Sequence, residues 1–446
     1  MKRADVVVIG GSAAGLTAAV TARRHYPEKK TLLIRQEAQV LIPCGIPYIF
    51  GTVDSPEQNL IPDSVLSKNG IELLVDKVTE LDREKGELKT ADGETVGYDR
   101  LVLATGSRPV MPPVPGFDLD GVFPILKDVE HLRSMQEVLK HVSSLVIIGG
   151  GFIGVEFADE CRQSMQANVS IVEMQPHCLM LAYDKEFCIA AEQLLRTRGI
   201  TALTNAKVKR VSGNGRVERV ELADGTALDA QAVIVGIGAT ANAELARDVG
   251  LEIGPTKGIA VDRTMRTTDD RIYACGDCAE KVSFFTGRPS PLKLASIATS
   301  EARIAGANLF GTRRENIGTI GVWSTVIGDT AFATAGLTEA LASRHGYNYV
   351  SGVAEAPNRH PGGMPGMCSM KVKLLFERRT SVILGGQVMG DKAAGEVINA
   401  ISACIQRRMT AEDIAVFQTG THPALTASPI AYQFVNAAEA AIAALR

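Results

Sequence analysis

The chemistry open to this chain is concentrated in one thiol and two glycine turns. Cys44 stands in residues 40–51, VLIPCGIPYIFG, between Pro43 and Gly45 and shortly before Pro47. Proline suits the first turn of a helix, where its missing N–H costs nothing, so the tract reads as a loop or a helix start. A thiol at the positive end of a helix dipole is favoured as the nucleophilic thiolate. The opposing reading is a buried, inert cysteine, the common fate of a cysteine outside disulfides. The tract alone leaves both readings open.

Residues 10–15, GGSAAG, set Gly10, Ser12 and Gly15 in a GxSxxG spacing, with Ala13 and Ala14 inside it. An apolar run precedes the turn and the helix-like LTAAVTARR follows. Small residues there let the backbone approach a pyrophosphate, which sits on the N-terminus of the next helix. Such a unit calls for an acid about 20 residues on, to bind ribose hydroxyls. Here Arg35 holds that place and Glu37 lies two residues further. The second turn, GGGFIG at 149–154, matches GxGxxG in full through Gly149, Gly151 and Gly154, with Phe152 and Ile153 inside it. It follows the apolar LVII and opens the helix-like VEFADECR, the context that gives the motif its weight. Glu173 ends the next apolar run. A carboxylate there accepts from both ribose hydroxyls and repels a 2′-phosphate, and no Arg or Lys occurs from 174 to 182. NADH is therefore favoured over NADPH. Two such units imply two bound nucleotides.

The elements around these residues suit an α/β chain. At 446 residues the chain is too long for one core, and two or three domains are expected. With 46% hydrophobic residues and 43 glycines the composition is globular, and a net charge of −3 argues against a nucleic-acid partner. No apolar run reaches membrane-spanning length, and the N-terminal run carries a nucleotide motif rather than a cleavage signature, so a cytoplasmic protein is expected. The eight cysteines are scattered, unlike a disulfide framework. A second apolar strand runs into Ala104, Thr105 and Gly106, a small-residue turn suited to packing against a cofactor. The proline-rich residues 109–115 read as a linker. Another strand ends in the glycines up to Gly238, and a last one ends at Gly276-Asp277.

The order GGSAAG, a lone cysteine near residue 44, ATGS, GGGFIG, an acidic strand end, GxG and ACGD resembles the flavin-dependent pyridine nucleotide–disulfide oxidoreductases over essentially the whole chain. The PCGIPY tract is most similar to their single-cysteine branch, which holds coenzyme A disulfide reductases, NADH-dependent persulfide or polysulfide reductases, and NADH oxidases and peroxidases. The resemblance implies an α/β fold with two Rossmann-like nucleotide-binding domains, for FAD and NAD, plus a C-terminal α+β dimerisation domain. It implies a split FAD domain at 1–115 and 250–325, an NAD domain at 116–249 and an interface domain at 326–446. It implies a homodimer in which the C-terminal domain completes the partner's site. Asp277 would bind the flavin ribityl chain, which accounts for Cys275-Gly-Asp-Cys278 better than redox chemistry does. Pro43, Leu294 and Ala295 would also line the flavin. Gly238 and Glu156 would meet the NAD side, and Phe152 would cover the nicotinamide pocket.

The resemblance also speaks through absences. The two-cysteine branch carries CxxxxC, but Gln39 and Ile49 stand five residues either side of Cys44, so Cys44 would work as a single thiol through a mixed disulfide, persulfide or sulfenate. Oxidases and peroxidases carry a histidine where this chain has Ala13, which argues against oxygen or peroxide as main substrate. Coenzyme A disulfide reductases place Ser and Asn before the cysteine, where this chain has Val40 and Pro43, although Thr17, Thr21 and Arg24 could still help to bind coenzyme A. The tyrosines that related enzymes bring to the partner's thiol are replaced by histidines, His360 and His422. His422-Pro423 resembles the His-Pro acid–base of lipoamide dehydrogenase, but Ala427 stands where that enzyme's orienting Glu would be. The soft cluster of Met364, Met367, Cys368 and Met370 reads as a flexible loop rather than a metal site. The expected activity is NADH-dependent reduction of persulfide, polysulfide or elemental sulfur. The alternatives are reduction of a coenzyme A or other low-molecular-weight disulfide, NADH oxidation by oxygen, and a flavin redox sensor.

Overall fold

The computed structural model describes residues 2–445. The chain divides into two compact units. One comprises Met1–Pro113, Gly121–Val142 and Ile234–Thr319; the other comprises Val114–Asp120, Ser143–Val233 and Ile320–Arg446. Residues 121–142 and 234–249, read from sequence as part of an NAD domain, cluster with the first unit. The rest of that segment shares a unit with the C-terminal residues. The proline-rich 109–115 linker contains the first crossing between units.

The first unit is built on a seven-stranded sheet. Its path runs Glu72–Val75, Thr31–Arg35, Lys2–Ile9, Thr95–Leu103, Glu87–Thr90, Val78–Asp82, and Ile272–Ala274 pairs alongside Thr95–Leu103. Val6 to Ile9 run parallel to Thr31 to Ile34 on one side and to Arg100 to Leu103 on the other. Strands covered on both faces read as continuous apolar runs, and Val6, Val7, Val8, Leu32, Leu33 and Ile34 are all at 0% exposure. The helices Ala13–His25 and Ala295–Asn308 pack together through buried alanines at 18, 19, 22, 298, 302 and 305. Gly306 is needed there: a Cβ on it would stand 2.6 Å from Ala18 O.

The second unit joins two layers of different kind. A parallel sheet is formed by Ser144–Ile148, Asn168–Val172 and Ile200–Leu203, with the helices Phe152–Ser164 and Lys185–Thr197 between its strands in sequence. An antiparallel sheet orders Val322–Ile327, Thr330–Gly336, Ile383–Gly390, Ser369–Glu377 and Tyr349–Pro357. The Ala-rich helix Gln433–Leu445 lies on Gly352, where a Cβ would run into Ala437 O. No helix among the described residues is long and apolar enough to cross a membrane.

Lys373 ties these layers together. Its ammonium, with a side chain 5% exposed, meets Asp184 at 2.8 Å, Glu186 at 2.6 Å and Glu339 at 2.9 Å. Asp184 is itself buried; it accepts from Gln387 Nε2 at 2.7 Å and from the Glu339 N–H at 2.9 Å. Burial works to lower the lysine's pKa, but the hydrogen bonds to Asp184 and Glu186 outweigh it and hold the ammonium above the ordinary lysine range. Lys373→Met would strand the Asp184 carboxylate beside two other acids. Losing one partner of a buried ion pair costs about 3–5 kcal/mol, so a clear fall in the urea unfolding midpoint is expected. A midpoint equal to wild type would show that the cluster does not bind the layers.

Candidate active site

The thiol loop is set by a short hairpin and one asparagine. Val40–Leu41 pairs antiparallel with Leu60–Ile61. Residues Pro43–Gly45 and Pro47–Phe50 then form two single 3₁₀ turns, each with proline at its start. The helix start expected from sequence is thus one short turn, too few aligned peptides for an appreciable macrodipole at Cys44. Buried Asn59 donates from Nδ2 to Ile42 O at 3.0 Å, while its own carbonyl accepts from the Ile42 N–H at 2.9 Å. Gly45 lies so close that a Cβ would run into Asn59 Oδ1. Cys44, between these two anchors, is exposed.

The first glycine turn has the form of a phosphate cradle. Gly10 adopts φ +114°, and Gly15 passes so close to it that a Cβ would run into Gly10 O. Ser12 takes the cap position of the Ala13–His25 helix but caps no backbone N–H with its side chain, and no acid lies in the first turn. The Ala295–Asn308 helix, beginning after Leu294, is likewise uncapped and without an acid in its first turn. The helices starting after Asp128, Thr338 and Thr410 are capped by those side chains. Open N–H groups at the two glycine-flanked or alanine-rich ends suit an anionic ligand.

Arg35 is not open to a ribose in the way an acid would be. It is buried and bidentate to Asp63 at 2.6 and 2.9 Å, and it donates further to Glu37 O and Ala38 O. Its stem packs 2.5 Å from where a Gly11 Cβ would stand. Arg35 thus holds Glu37 and the glycine turn in place. Asp277 sits in the Gly276–Cys278 turn and accepts from Ser107 Oγ at 2.7 Å, with Lys127 Nζ at 3.7 Å. Thr105 and Asn242 exchange hydrogen bonds of 2.5 and 3.0 Å, fixing the turn at Ala104, Thr105 and Gly106. A Cβ on Gly106 would meet nothing within 4 Å. Cys275 and Cys278 are buried and not disulfide-linked, and burial pushes both thiols above the usual range. They are core residues flanking Asp277.

In the second unit, Gly149 takes φ +109° and a Cβ on Gly154 would run into Gly149 O, which repeats the first cradle. Gly151 takes the cap position of the Phe152–Ser164 helix without a side-chain cap, and its Cβ position is open. Glu173 reaches back to this turn, accepting from the Gly150 N–H and the Gln175 N–H, each at 2.6 Å. Each oxygen keeps a lone pair for a hydroxyl. Ile153 is 48% exposed. Phe152 stacks on Trp323 at 6.0 Å and tilts against Tyr183 at 5.9 Å. Glu156, one turn on, accepts from Thr325 Oγ1 at 2.9 Å. Burial pushes its carboxyl up to about 7, opposed by the Thr325 hydrogen bond and aided by the Glu160 charge. The Tyr183 hydroxyl is buried with no hydrogen-bond partner among the described residues. Gly238, expected on the NAD side, belongs to the first unit; it has φ +111° and accepts from the Val110 N–H.

The two candidate histidines are brought together. The His360 N–H donates to Pro423 O at 3.1 Å, and His360 Nδ1 lies 3.1 Å from Thr426 O. A carbonyl only accepts, so Nδ1 carries the proton and Nε2 is left as an acceptor. His422 has the opposite arrangement: its Nδ1 accepts from the Ala424 N–H at 3.2 Å, which leaves the neutral ring's proton on Nε2. Thr426 Oγ1 accepts from the His422 N–H at 3.0 Å. The loop therefore orients His422 with a backbone N–H, Ala427 supplying no carboxylate.

Sequence reasoning missed Asn59, Asp63, Ser107, Trp323 and Thr325. Only Ser107 lies in a quoted motif, as the last residue of ATGS, and each acts by reaching a backbone or side chain distant in sequence.

Comparison with known proteins agrees with this geometry. Residues 4–302 match the family described as pyridine nucleotide-disulphide oxidoreductase, and residues 322–430 match its dimerisation domain. The chain is 32% identical to the NAD(P)H coenzyme A polysulfide/persulfide reductase of Pyrococcus horikoshii, over 92% of each chain. It is 30% identical to an NADH oxidase of Methanocaldococcus jannaschii, again over 92% of each. Among solved structures, an NAD-dependent persulfide reductase from A. fulgidus superposes with a TM-score of 0.91 at 30% identity, covering 98% of this chain and 83% of that one. With paired glycine cradles, the Asp277 turn and matches along most of its length, the chain belongs to the pyridine nucleotide-disulphide oxidoreductases.

Proposed function

We propose that this chain is an NADH-dependent flavoprotein reductase that reduces the sulfane sulfur of persulfides, polysulfides or elemental sulfur at Cys44. One observation carries the reading: of eight cysteines, Cys44 is the exposed one, six are buried and Cys368 is half-buried. Burial raises the thiol pKa of all seven others, which disfavours their thiolates. The names of the relatives, which include sulfur and persulfide reductases, support the substrate class. Glu173, with no Arg or Lys from 174 to 182, supports NADH. Coenzyme A is the weaker part of the reading. Thr21, one of three candidate contacts, is buried against the helix at Gly306, which leaves half-buried Thr17 and exposed Arg24.

FAD would be held by Gly10, Ser12, Ala13, Ala14 and Gly15, by the turn at Ala104, Thr105 and Gly106, by Asp277, and by the helix start at Leu294-Ala295. NADH would be held by the Gly149–Gly154 turn and Glu173. A bound flavin supplies two-electron transfer between a nicotinamide and a thiol. The chain's own part is sulfur chemistry. Cys44 thiolate attacks the outer sulfur of RS–SH; the S–S bond breaks, RS⁻ leaves, and Cys44 becomes a persulfide. Two electrons then cleave that persulfide, hydrosulfide leaves, and the thiolate returns. The balance is RSSH + NADH + H⁺ → RSH + H₂S + NAD⁺. A histidine protonates the leaving thiolate, and His422, whose Nε2 carries the proton, suits that step better than His360. The protein acts as a homodimer whose C-terminal segment completes the second copy's site; the dimerisation-domain match and the exposure of Val416 at 79%, Leu425 at 71% and Ile430 at 88% support a covering copy.

Two outcomes test this reading, and a third tests the state of Glu156. In anaerobic assays with NADH and polysulfide, wild type should release sulfide in step with NADH loss. Cys44→Ser should release none while its flavin is still reduced by NADH. Wild type that ignores polysulfide but turns over a disulfide or oxygen would sink the substrate class. Loss of a proton donor costs about a hundredfold or more, so His422→Ala should lower kcat by that order. His360→Ala should lower it less; the reverse order would exchange their roles. Glu156 has a folded pKa raised above its unfolded value, so its proton stabilises the fold at low pH and that stability is lost as pH rises from about 4.5 through 7. Glu156→Gln should therefore raise Tm at pH 8 and leave it nearly unchanged at pH 5. An equal shift at both pH values would disprove the buried, protonating carboxyl.

A further inference from the structure

The turn that carries Asp277 is gripped from behind by two charged side chains that lie in no motif. Lys281 and Glu301 pair at 2.9 Å with side chains 3% and 2% exposed. Lys281 Nζ donates to Gly276 O and, at 2.9 Å, to Ala279 O. Glu301 Oε2 accepts from the Gly276 N–H at 2.9 Å. The pair thus holds both ends of the Gly276–Cys278 turn by its backbone. Gly276 is kept at φ +80°, pressed so close to Ala14 that a Cβ would stand 2.7 Å from the alanine's Cβ. Ala14 belongs to the first glycine turn, so the grip fixes Asp277 against that turn. The second carboxylate oxygen, Glu301 Oε1, is buried with no hydrogen-bond partner among the described residues. Burial outweighs the pull of Lys281 and the Gly276 N–H and pushes the Glu301 carboxyl up to about 7.

An ion pair so placed is not explained by stability. Desolvating two charges costs several kcal/mol per ion, and apolar residues of similar volume often serve as well or better. Here each charged group is spent on the backbone of one turn, and that turn presents the carboxylate toward Ser107 and Lys127. Fixed charges close to a redox group also act on its electrons, because the buried medium screens them weakly.

We infer that Lys281 and Glu301 are a positioning pair for the flavin site, aiming Asp277 at the cofactor and setting the electrostatic background against which the cofactor is reduced. The inference rests on the reading of the first unit as the FAD site. At a pH where Glu301 is ionised, Lys281 contributes a positive charge behind Asp277 and Glu301 a negative one. Their effects on the bound cofactor are opposite in sign, whereas their effects on the backbone turn are alike.

The test uses holoprotein, with FAD dissociation measured on reconstitution of apoprotein and the flavin midpoint potential measured by redox titration at about pH 8.5, where Glu301 is ionised. Lys281→Met should weaken FAD binding at least tenfold and move the potential negative. Glu301→Gln keeps an acceptor for the Gly276 N–H, so it should bind FAD nearly as wild type does and move the potential positive. The double variant Lys281→Met/Glu301→Gln has no buried charge left unpaired and guards against a single variant that fails to fold. It should return the potential near wild type yet still bind FAD more weakly, because Gly276 O and Ala279 O have lost their donor. Wild-type FAD affinity in both Lys281 variants, or potentials that move in the same direction in the two single variants, would overturn the inference alone. Wild-type protein that binds no FAD would overturn the flavin reading and the inference with it.

Discussion

The packing of Gly276 onto Ala14 is the constraint on which the first unit depends. It presses the turn that carries Asp277 against the turn that begins the Ala13–His25 helix, and it tolerates no Cβ at residue 276. The same closeness runs along the pair of helices behind it, where Ala18, Ala22, Ala302 and Ala305 are at or near 0% exposure and Gly306 meets Ala18 O. A helix that packs so tightly on its neighbour must be made of small residues, which is why Ala13–His25 is poor in large apolar side chains. That packing leaves the N-terminal amides of both helices pointing out of their backbones without side-chain caps, and uncapped amides at a helix start are what an anion seeks.

Charge is placed with equal economy. Arg35, Lys281 and Lys373 are each about 5% exposed or less, and each meets a carboxylate: Asp63, Glu301, and the trio of Asp184, Glu186 and Glu339. A buried ion without a partner costs far more than a paired one, so these pairs mark where the fold needs a cation's fixed geometry. Arg35 braces the first glycine turn, Lys281 the second turn of that site, and Lys373 the layers of the other unit. Burial decides the carboxyls of both Glu156, bonded to the neutral Thr325 hydroxyl, and Glu301, paired with Lys281, and pushes each up to about 7.

Both glycine turns and their strand–turn–helix context are legible as consecutive residues, Glu173 is legible from its offset of 19 residues after Gly154, and the Asp277 turn only through the family resemblance. A backbone that must approach a phosphate needs glycine at fixed offsets, and the spacing alone records it. The Cys44 tract was half legible: its prolines announced a turn, but not that the turn is a single 3₁₀ turn held by Asn59 from 15 positions away. Arg35 was legible as a departure from pattern, yet the acid that answers it, Asp63, lies 28 residues on. Trp323, on a strand of the antiparallel sheet, stacks on Phe152 at a helix start, and nothing in the local sequence of either announces the pair. What stayed hidden was contact between distant segments, where the partner is chosen by topology rather than by periodicity.

The short turn at Cys44 has a consequence for how a single thiol can work. A two-cysteine enzyme releases its product by forming a disulfide within the chain, so the second sulfur takes part of the leaving-group work. One thiol has no such resource, and each leaving sulfur must be handled by protons. A three-residue 3₁₀ turn adds little dipole of its own to favour the thiolate. In the mechanism proposed above, the histidine loops would handle those protons: one imidazole is fixed by a carbonyl so that its outer nitrogen accepts, the other by a backbone N–H so that its outer nitrogen donates. Two rings held in opposite tautomers within one hydrogen-bonded loop pair turn one acceptor and one donor outward. A sulfur reductase that takes up one proton and one hydride per turnover gains most from such a pair when the acceptor varies in length, as polysulfides do, because the leaving group's own basicity then varies as well.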